Sequence, residues 1–238
     1  MICNGAPALP EQSEDSRADT ARLIEWLLEE DRDLSGIAFA DVVKAVAGRE
    51  VRPLDPTHEA DQRVLVLVGR EAAALLREVN QTGHPAHDIP RINEVSGLLE
   101  DLLLERLDAV DGFSCVFPPT ASGRTQRSGY PDLRLLDEAT GRVYYLDPKV
   151  YAERLRNSTF RTFYFEPKRE TNKILDDAAH LIIGLSHAGR QEDGRWKFTG
   201  WNVVDLSEFR VRLKAEFQGS NRDLYREEAI AAEGAVDP

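Results

Sequence analysis

Cysteine is scarce in this sequence, and long apolar runs are missing. The 238 residues contain only Cys3 and Cys115, far apart along the chain. These are too few thiols for a disulfide framework or a cysteine-bound zinc site, so a reducing, cytoplasmic location is predicted. No apolar run approaches the roughly 18 residues that a membrane-spanning helix needs, which predicts that no membrane is a partner. Residues 1–10 lack a basic stretch followed by an apolar one, so no signal peptide is predicted.

Several motifs of common enzyme classes are also missing. The sequence has no P-loop, no zinc-finger spacing and no GxGxxG dinucleotide motif. The stretch around Ser186 approaches the nucleophile elbow of hydrolases, but Ala188 stands where that motif needs glycine. His84 and His87 have no further ligand cluster nearby and are assigned to a polar loop.

Positive charge is in short supply overall but is unevenly distributed. The formal net charge is −12, which taken alone argues against a nucleic-acid partner. Residues 11–33 hold nine acidic and three basic side chains, and the tail from residue 216 holds six and two. Residues 120–173 reverse the sign, with eleven Lys and Arg against seven Asp and Glu. A local basic stretch can attract phosphate even when the whole chain is acidic.

The hydrophobic pattern predicts an α/β fold, with a mixed β-sheet flanked by helices and a small N-terminal helical region. The predicted divisions are disordered tails at 1–13 and 231–238, a helical region at 14–89 and the core at 90–230. Helices are predicted over residues 17–32, 39–47, 58–80, 92–110, 171–180 and from 207 through 217. Strands are predicted over residues 113–117, 133–136, 143–146, 162–165, 181–185 and 196–206. Residues 137–141 form a predicted hairpin turn, because Gly141 can supply the unusual dihedral angles.

Three chemically reactive side chains are predicted to meet at one end of this hairpin. Asp147 and Lys149 are two residues apart on one strand, so they share a face of the sheet. Asp132 begins the preceding strand, and in a hairpin the start of one strand lies beside the end of the next. Two carboxylate ligands suit Mg²⁺, which keeps several water molecules. Such a metal can bind a phosphodiester and activate water, while a lysine offsets growing negative charge.

The segments Pro131-Asp132 and Asp147-x-Lys149 resemble the motif of the PD-(D/E)xK nuclease superfamily, which includes many type II restriction endonucleases. The resemblance covers about residues 90–206. It implies a restriction-endonuclease-like core in which Asp132 and Asp147 bind Mg²⁺, with Mn²⁺ expected to substitute. It also implies that Lys149 orients the attacking water and that cleavage leaves a 5′-phosphate. Here Pro148 occupies the x position, where it suggests a bulge or a strand end.

Many superfamily members add a glutamate from the helix that precedes the first strand. This helix runs antiparallel to the first strand, so its N-terminal half lies near the active end of the sheet. Five strand residues span about 17 Å, the length of roughly eleven helical residues, and counting back by that number from Asp108 reaches position 97. That position lies between Glu94 and Glu100 and disfavours Glu105. Glu94 is preferred because its end of the helix is nearest the loop that could meet DNA, with Glu100 close behind.

Alternatives to this active centre stay open at the sequence level. Glu166-Pro167-Lys168 repeats the acidic-Pro-Lys pattern but lacks the hairpin link to Asp132. Asp147 and Lys149 could also be an exposed ion pair of little energetic value.

Arg can clamp phosphate or read guanine, so basic residues near the hairpin are predicted to contact DNA. These residues are Arg124, Arg127, Arg154, Arg156, Arg161, Lys168 and Arg169.

The sequence therefore predicts a Mg²⁺-dependent endonuclease that cuts double-stranded DNA, most similar to a type II restriction enzyme. Cutting both strands of a symmetric site predicts a homodimer. Two other functions remain open: a repair, mobile-element or RNA-directed nuclease with the same centre, and a DNA-binding protein with an inactive nuclease-like fold.

Overall fold

The computed structural model describes residues 14–28, 34–159, 163–214, 218 and 220–232. The chain forms two compact units, one of residues 37–211 and the other of residues 1–36 together with 212–238. The tail predicted over residues 1–13 lies outside the described residues, as do residues 233–238. No helix in the described part of the chain is both long and apolar enough to cross a membrane.

The helices are α1 (Glu14–Leu28), α2 (Phe39–Ala47), α3 (Glu59–Val79), α4 (Ile92–Asp108) and α5 (Asn221–Leu224). The strands are β1 (Ile37–Ala38), β2 (Phe113–Val116), β3 (Leu133–Asp137), β4 (Arg142–Ala152), β5 (Ala179–Arg190), β6 (Trp196–Asp205) and β7 (Arg210–Val211). The predictions for α2, α3 and α4 are confirmed to within two residues at each end. In the smaller unit, α1 is the first helix expected from the pattern, and Ser220 starts α5 with a capping box.

The larger unit is built on a five-stranded mixed sheet in the order β2-β3-β4-β5-β6. Neighbouring strands are antiparallel except β4 and β5, which are parallel. A second, two-stranded sheet pairs β1 with β7. The predicted class, an α/β fold with a mixed sheet flanked by helices, is confirmed, and the arrangement is consistent with a restriction-endonuclease-like core.

Two apolar cores lie in this unit. In the larger one, α3 and α4 pack with the central strands, and every fourth residue of α4 from Val95 to Leu107 is fully buried. Residues four apart lie on the same side of a helix, so this spacing gives α4 one continuous apolar face. The smaller core gathers aromatic and aliphatic side chains around Phe39 of α2, including Tyr145 of β4. The helices α2 and α3, which belong to the predicted N-terminal helical region, thus share apolar cores with the sheet.

The helix predicted over residues 171–180 is wrong, because side chains bind the backbone groups that a helix would use. The carboxamide of Asn172 accepts a hydrogen bond from the N–H of Ile174 and donates one to its carbonyl, both at 3.0 Å. The hydroxyl of Tyr145 accepts hydrogen bonds from the N–H groups of Leu175 and Asp176. Local side-chain bonds of this kind compete with helix formation. The segment is irregular until β5 begins at Ala179.

Two further predicted elements differ from the structure because aromatic residues there serve tertiary packing. Residues 163–165 form no strand, and Phe163 and Phe165 instead pack edge-on against Phe39, at 5.3 and 5.7 Å between ring centroids. Residue 162 lies outside the described residues. The helix predicted from residue 207 is also wrong over 207–214, because Arg210 and Val211 pair with β1. The rest of that prediction, residues 215–217, lies outside the described residues.

Candidate active site

β4 is longer than the pattern predicted and runs through Asp147, Pro148 and Lys149. It pairs with β3 only as far as Leu146, which is the partner of Leu133. Beyond Leu146, β4 continues beside β5 alone. The free side of this portion accommodates Pro148, whose missing N–H would otherwise remove a ladder bond. Because Asp132 directly precedes Leu133, the register places it beside Asp147.

The structure brings Asp132, Asp147 and Lys149 together. The Nζ atom of Lys149 lies 2.8 Å from Oδ2 of Asp147 and 3.3 Å from Oδ2 of Asp132. The Asp147 side chain is 3% exposed, whereas that of Lys149 is 33% exposed. The cluster is therefore closed at Asp147 and open on the Lys149 side, where a large substrate can approach.

The neighbouring charged groups of the cluster shift the pKa values of Asp147 and Lys149. Burial raises the pKa of Asp147 well above its usual range, and a hydrogen bond to Asp132 and the charge of Asp132 raise it further. Lys149 opposes this shift. Burial lowers the pKa of Lys149, but the two aspartates outweigh burial and leave that pKa raised. Two acids forced together with one ammonium hold more negative charge than the protein neutralises locally, which favours binding of a further cation.

The helix acid beside this cluster is Glu100, not the preferred Glu94. Burial and then the charge of Asp132 raise the pKa of Glu100, against the effect of Arg127. Glu94 is 55% exposed and lies 4.0 Å from Arg91. No hydrogen bond or ion pair joins it to the three cluster residues within the described chain. The preference for Glu94 rested on the loop that could meet DNA, not on the strand length. With the four residues of β2, which span about 14 Å or nine helical residues, the count from Asp108 reaches position 99, next to Glu100.

A second lysine, Lys173, also faces the cluster and was missed by the sequence reasoning. The residue is 1% exposed, and burial lowers its pKa while the charges of Asp132, Glu100 and Asp147 raise it. Its Nζ atom donates one long hydrogen bond, 3.5 Å, to the carbonyl of Arg127. The predicted helix over 171–180 would have made Lys173 an ordinary helical lysine, so no signal in the pattern marked it.

A layer of buried rings lies next to the acids. The hydroxyl of Tyr130 lies 2.8 Å from Nδ1 of His180. Burial raises the pKa of Tyr130, and the charges of Asp147 and Asp132 add to this effect. Burial also lowers the pKa of His180 to about 3, so this imidazole is neutral at physiological pH. The layer gives the acids a low-dielectric neighbour on one side, which strengthens their mutual repulsion.

The alternative pair, Glu166 and Lys168, is a surface ion pair. Its atoms are 2.8 Å apart, and the two side chains are 74% and 55% exposed. Arg127 binds Glu100 and Asp101 at 3.2 and 2.6 Å. Arg127 is thus engaged by acids rather than presented freely to phosphate.

The remaining residues predicted to contact DNA have simpler placements. Arg124, Arg154, Arg156 and Arg169 are exposed. Arg161 lies outside the described residues.

A groove of about 650 Å³ adjoins Lys149. Its lining includes Asn93, Arg156 and Asn202. Asn202 donates a 2.7 Å hydrogen bond to the hydroxyl of Tyr151. A methyl group built on Gly184 would lie 2.5 Å from Oδ1 of Asn202, so only glycine leaves room for this carboxamide. The groove therefore carries polar side chains beside the cluster, among apolar ones such as Phe163 and Ile182.

The donor set of the cluster fits a hard divalent cation. The Oδ2 atom of Asp147 has no well-aligned hydrogen bond within the described residues, although Lys149 lies at ion-pair distance. No group of three or more His, Cys, Asp and Glu side chains that could hold a metal occurs in the described part of the chain. Asp132 and Asp147 would thus contribute two oxygen ligands, which suits Mg²⁺ because it retains several waters.

Comparisons with known proteins identify similarity to one enzyme family over most of the chain. A family model described as "Type II restriction enzyme MjaV family" matches residues 33–228. The chain is also 29% identical over 207 residues to the type II restriction enzyme MjaV of Methanocaldococcus jannaschii. That alignment covers 83% of this chain and 88% of the relative. The family match spans the whole cluster, from Glu100 to Lys173.

Proposed function

The chain belongs to the type II restriction enzyme MjaV family, and we propose that it hydrolyses double-stranded DNA at a specific sequence with the help of a divalent metal. The observation that carries the proposal is the convergence of Asp132, Asp147 and Lys149 inside the matched region. An inactive DNA-binding protein has no need to bury Asp147 beside a second carboxylate, where its charge is disfavoured. A clustered and strained set of ionisable groups is typical of a catalytic centre.

Each residue of the cluster has a distinct proposed role. Asp132 and Asp147 would hold Mg²⁺ or Mn²⁺, and Glu100 would be a third carboxylate beside them. When bound, the metal lowers the pKa of water and polarises the phosphodiester. Lys149, within 3.3 Å of both aspartates, would orient the attacking water and stabilise negative charge on the phosphate oxygens. Asp147 would hold Lys149 in place through its 2.8 Å ion pair.

The groove beside Lys149 is the proposed path for DNA. It is open, it reaches the cluster, and its lining includes two carboxamides and the exposed Arg156 among apolar side chains. Asn and Arg side chains can read base edges or bind phosphate. The exposed Arg124, Arg154 and Arg169 would add phosphate contacts outside the groove. A homodimer is proposed because cutting both strands of a symmetric site requires two copies of the centre.

The direct test is digestion of several plasmids of known sequence with and without Mg²⁺. A concentration of about 5 mM is of the order needed to fill a weak cation site. We expect discrete fragments that share one recognition sequence, and no cutting in EDTA. Asp132→Ala is expected to remove cleavage without lowering the melting temperature. Random degradation would indicate another nuclease task, and undiminished cutting by Asp132→Ala would refute the proposed centre.

A further inference from the structure

Lys173 is a buried cation for which the proposed reaction has no assigned use. The residue is 1% exposed, and its one hydrogen bond within the described chain, to the carbonyl of Arg127, is 3.5 Å long. Removing an ammonium from water is strongly unfavourable unless opposite charge compensates for it. Within the described residues, the groups that compensate are the carboxylates whose charges act on Lys173, first Asp132 and then Glu100 and Asp147.

The backbone on both sides of Lys173 is fixed by specific contacts. The carbonyl of Asn172 accepts a 2.7 Å hydrogen bond from Ala121, which ties this segment to the loop before Tyr130. On the other side, Asp176 accepts hydrogen bonds from Arg134, at 2.8 and 3.1 Å, and from Tyr145. A lysine held from both sides and kept out of solvent has a defined position, as a side chain that acts on a catalytic centre requires.

Lys173 reduces the excess of negative charge around the centre. Glu100, Asp132 and Asp147 carry three carboxyl groups, and Lys149 and Lys173 provide two ammonium groups. Arg127 is shared between Glu100, at 3.2 Å, and Asp101, at 2.6 Å. Without Lys173 the excess of negative charge would be larger and would repel the phosphate that the centre must cut.

We propose that Lys173 is a positioning residue of DNA cleavage, whose ammonium offsets the charge of Asp132 and Glu100 so that a DNA phosphate can enter the acidic centre. This inference rests on the proposed function and extends it to a residue outside the PD-(D/E)xK motif. It has an unusual consequence: removal of the charge should strengthen binding of a divalent cation to the centre and weaken cleavage. A residue with only a structural role would weaken both when it is replaced.

The test compares Lys173→Met, Lys173→Gln and Lys173→Arg with the wild type. Mn²⁺ affinity is measured by calorimetry without DNA, and single-turnover cleavage is measured on an oligonucleotide duplex that contains the recognition site. The two neutral variants are expected to bind Mn²⁺ roughly three- to tenfold tighter and to cut about 10- to 100-fold more slowly. Lys173→Arg should keep the wild-type affinity for Mn²⁺. The matched control is Lys197→Met, an exposed lysine on β6, which should change neither quantity.

Neutral variants that match the wild type in both measurements, or that bind Mn²⁺ more weakly, would overturn this role for Lys173. If both neutral variants fail to fold, Lys173→Arg decides: a Mn²⁺ affinity changed by more than about threefold contradicts a role that depends on charge. Wild-type protein that neither binds Mn²⁺ nor cuts DNA would refute the proposed function itself. Normal wild-type behaviour together with unaffected variants would refute only the role of Lys173.

Discussion

The β3–β4 hairpin buries an aspartate at each of its ends, but the partners and the pKa shifts of the two aspartates differ. At the turn end, Asp137 accepts hydrogen bonds from Arg63 at 2.5 Å and from the N–H of Ala139 at 3.0 Å. Burial raises the pKa of Asp137, but the hydrogen bonds from Arg63 and Thr140 outweigh burial and leave it lowered. At the open end, burial raises the pKa of Asp147, and the second acid, Asp132, raises it further instead of opposing burial.

The difference separates a structural use of buried acids from a chemical one. Asp61, also near the turn end, is fully buried and is bound by Arg142, Tyr144 and the N–H of Asp55. All of its charge is satisfied within the fold. Asp147 and Asp132 share the ammonium of Lys149, so their charge is only partly neutralised, as the proposed metal site requires. Burial alone therefore does not distinguish the two ends of the hairpin; the partners of the acids do.

The largest effect on cleavage is expected from replacing an aspartate at the open end. Asp147→Asn keeps the shape of the side chain but removes a proposed metal ligand and the ion pair with Lys149. Cleavage should fall by about 10³-fold or more, while the melting temperature is retained because the carboxylate is disfavoured by burial. Single-turnover cleavage assays and thermal melts of the same sample measure both. Cleavage within about threefold of the wild-type rate would show that Asp147 is not part of the centre.

The opposite result is expected for Asp61→Asn at the turn end. Breaking a buried charge pair typically costs about 3–5 kcal/mol, because Arg142 is left without its partner. Urea unfolding should therefore report a large loss of stability. The cleavage rate per folded molecule should stay close to that of the wild type. A loss of cleavage at a temperature where the variant is still folded would contradict the separation of the two ends.

Because of His180, in the ring layer near the open end, the stability of the protein should depend on pH. The unfolded chain binds a proton at His180 below its ordinary pKa of 6.5, whereas the buried ring, with a pKa of about 3, does not. Stability should therefore fall as the pH drops from 6.5 toward 3, by up to about 1.4 kcal/mol per pH unit. His180→Asn, which keeps an acceptor for Tyr130, should reduce this slope. Urea unfolding at pH 5 and 7 checks the change, and an unaltered slope would contradict the assignment.

The smallest expected effect concerns the groove that leads away from the open end. In Gly184→Ala, the new methyl group would lie 2.5 Å from Oδ1 of Asn202 and would displace that carboxamide from Tyr151. DNA affinity, measured by fluorescence anisotropy in EDTA, should fall about three- to tenfold. Gly97→Ala is the control, because a methyl group on Gly97 meets nothing within 4 Å. Equal affinities for the two variants would remove Asn202 from the proposed DNA path.

Much of the fold could be predicted because its pattern is local. The helix α4 follows from apolar residues at helical spacing, and the hairpin follows from Gly141 between two β-prone runs. The cluster of Asp132, Asp147 and Lys149 was accessible for the same reason, since hairpin register and strand alternation are short-range rules. Membership of the restriction enzyme family agrees with the resemblance of this motif to PD-(D/E)xK nucleases.

The remaining features depend on contacts between residues distant in sequence. The irregular segment before β5 is set by Tyr145, thirty residues away, which binds the N–H of Leu175. That same segment delivers Lys173 to the centre, so the wrong helix prediction and the missed lysine have one cause. The preference for Glu94 over Glu100 came from the position of the loop that could meet DNA, because the count to position 97 left both open. A strand shorter by one residue moves that count by about two positions along α4, toward Glu100.

The central claim, that the open end of the hairpin is the catalytic centre, is tested most directly by comparing Lys149→Met with Arg142→Met. Both variants remove a cation that binds a buried aspartate, one at each end of β4. Single-turnover cleavage of a site-containing duplex is measured below the melting temperature of each variant. We predict that Lys149→Met loses cleavage by about 10³-fold while remaining folded, and that Arg142→Met loses stability but cuts at the wild-type rate per folded molecule. Wild-type cleavage by folded Lys149→Met would contradict the account.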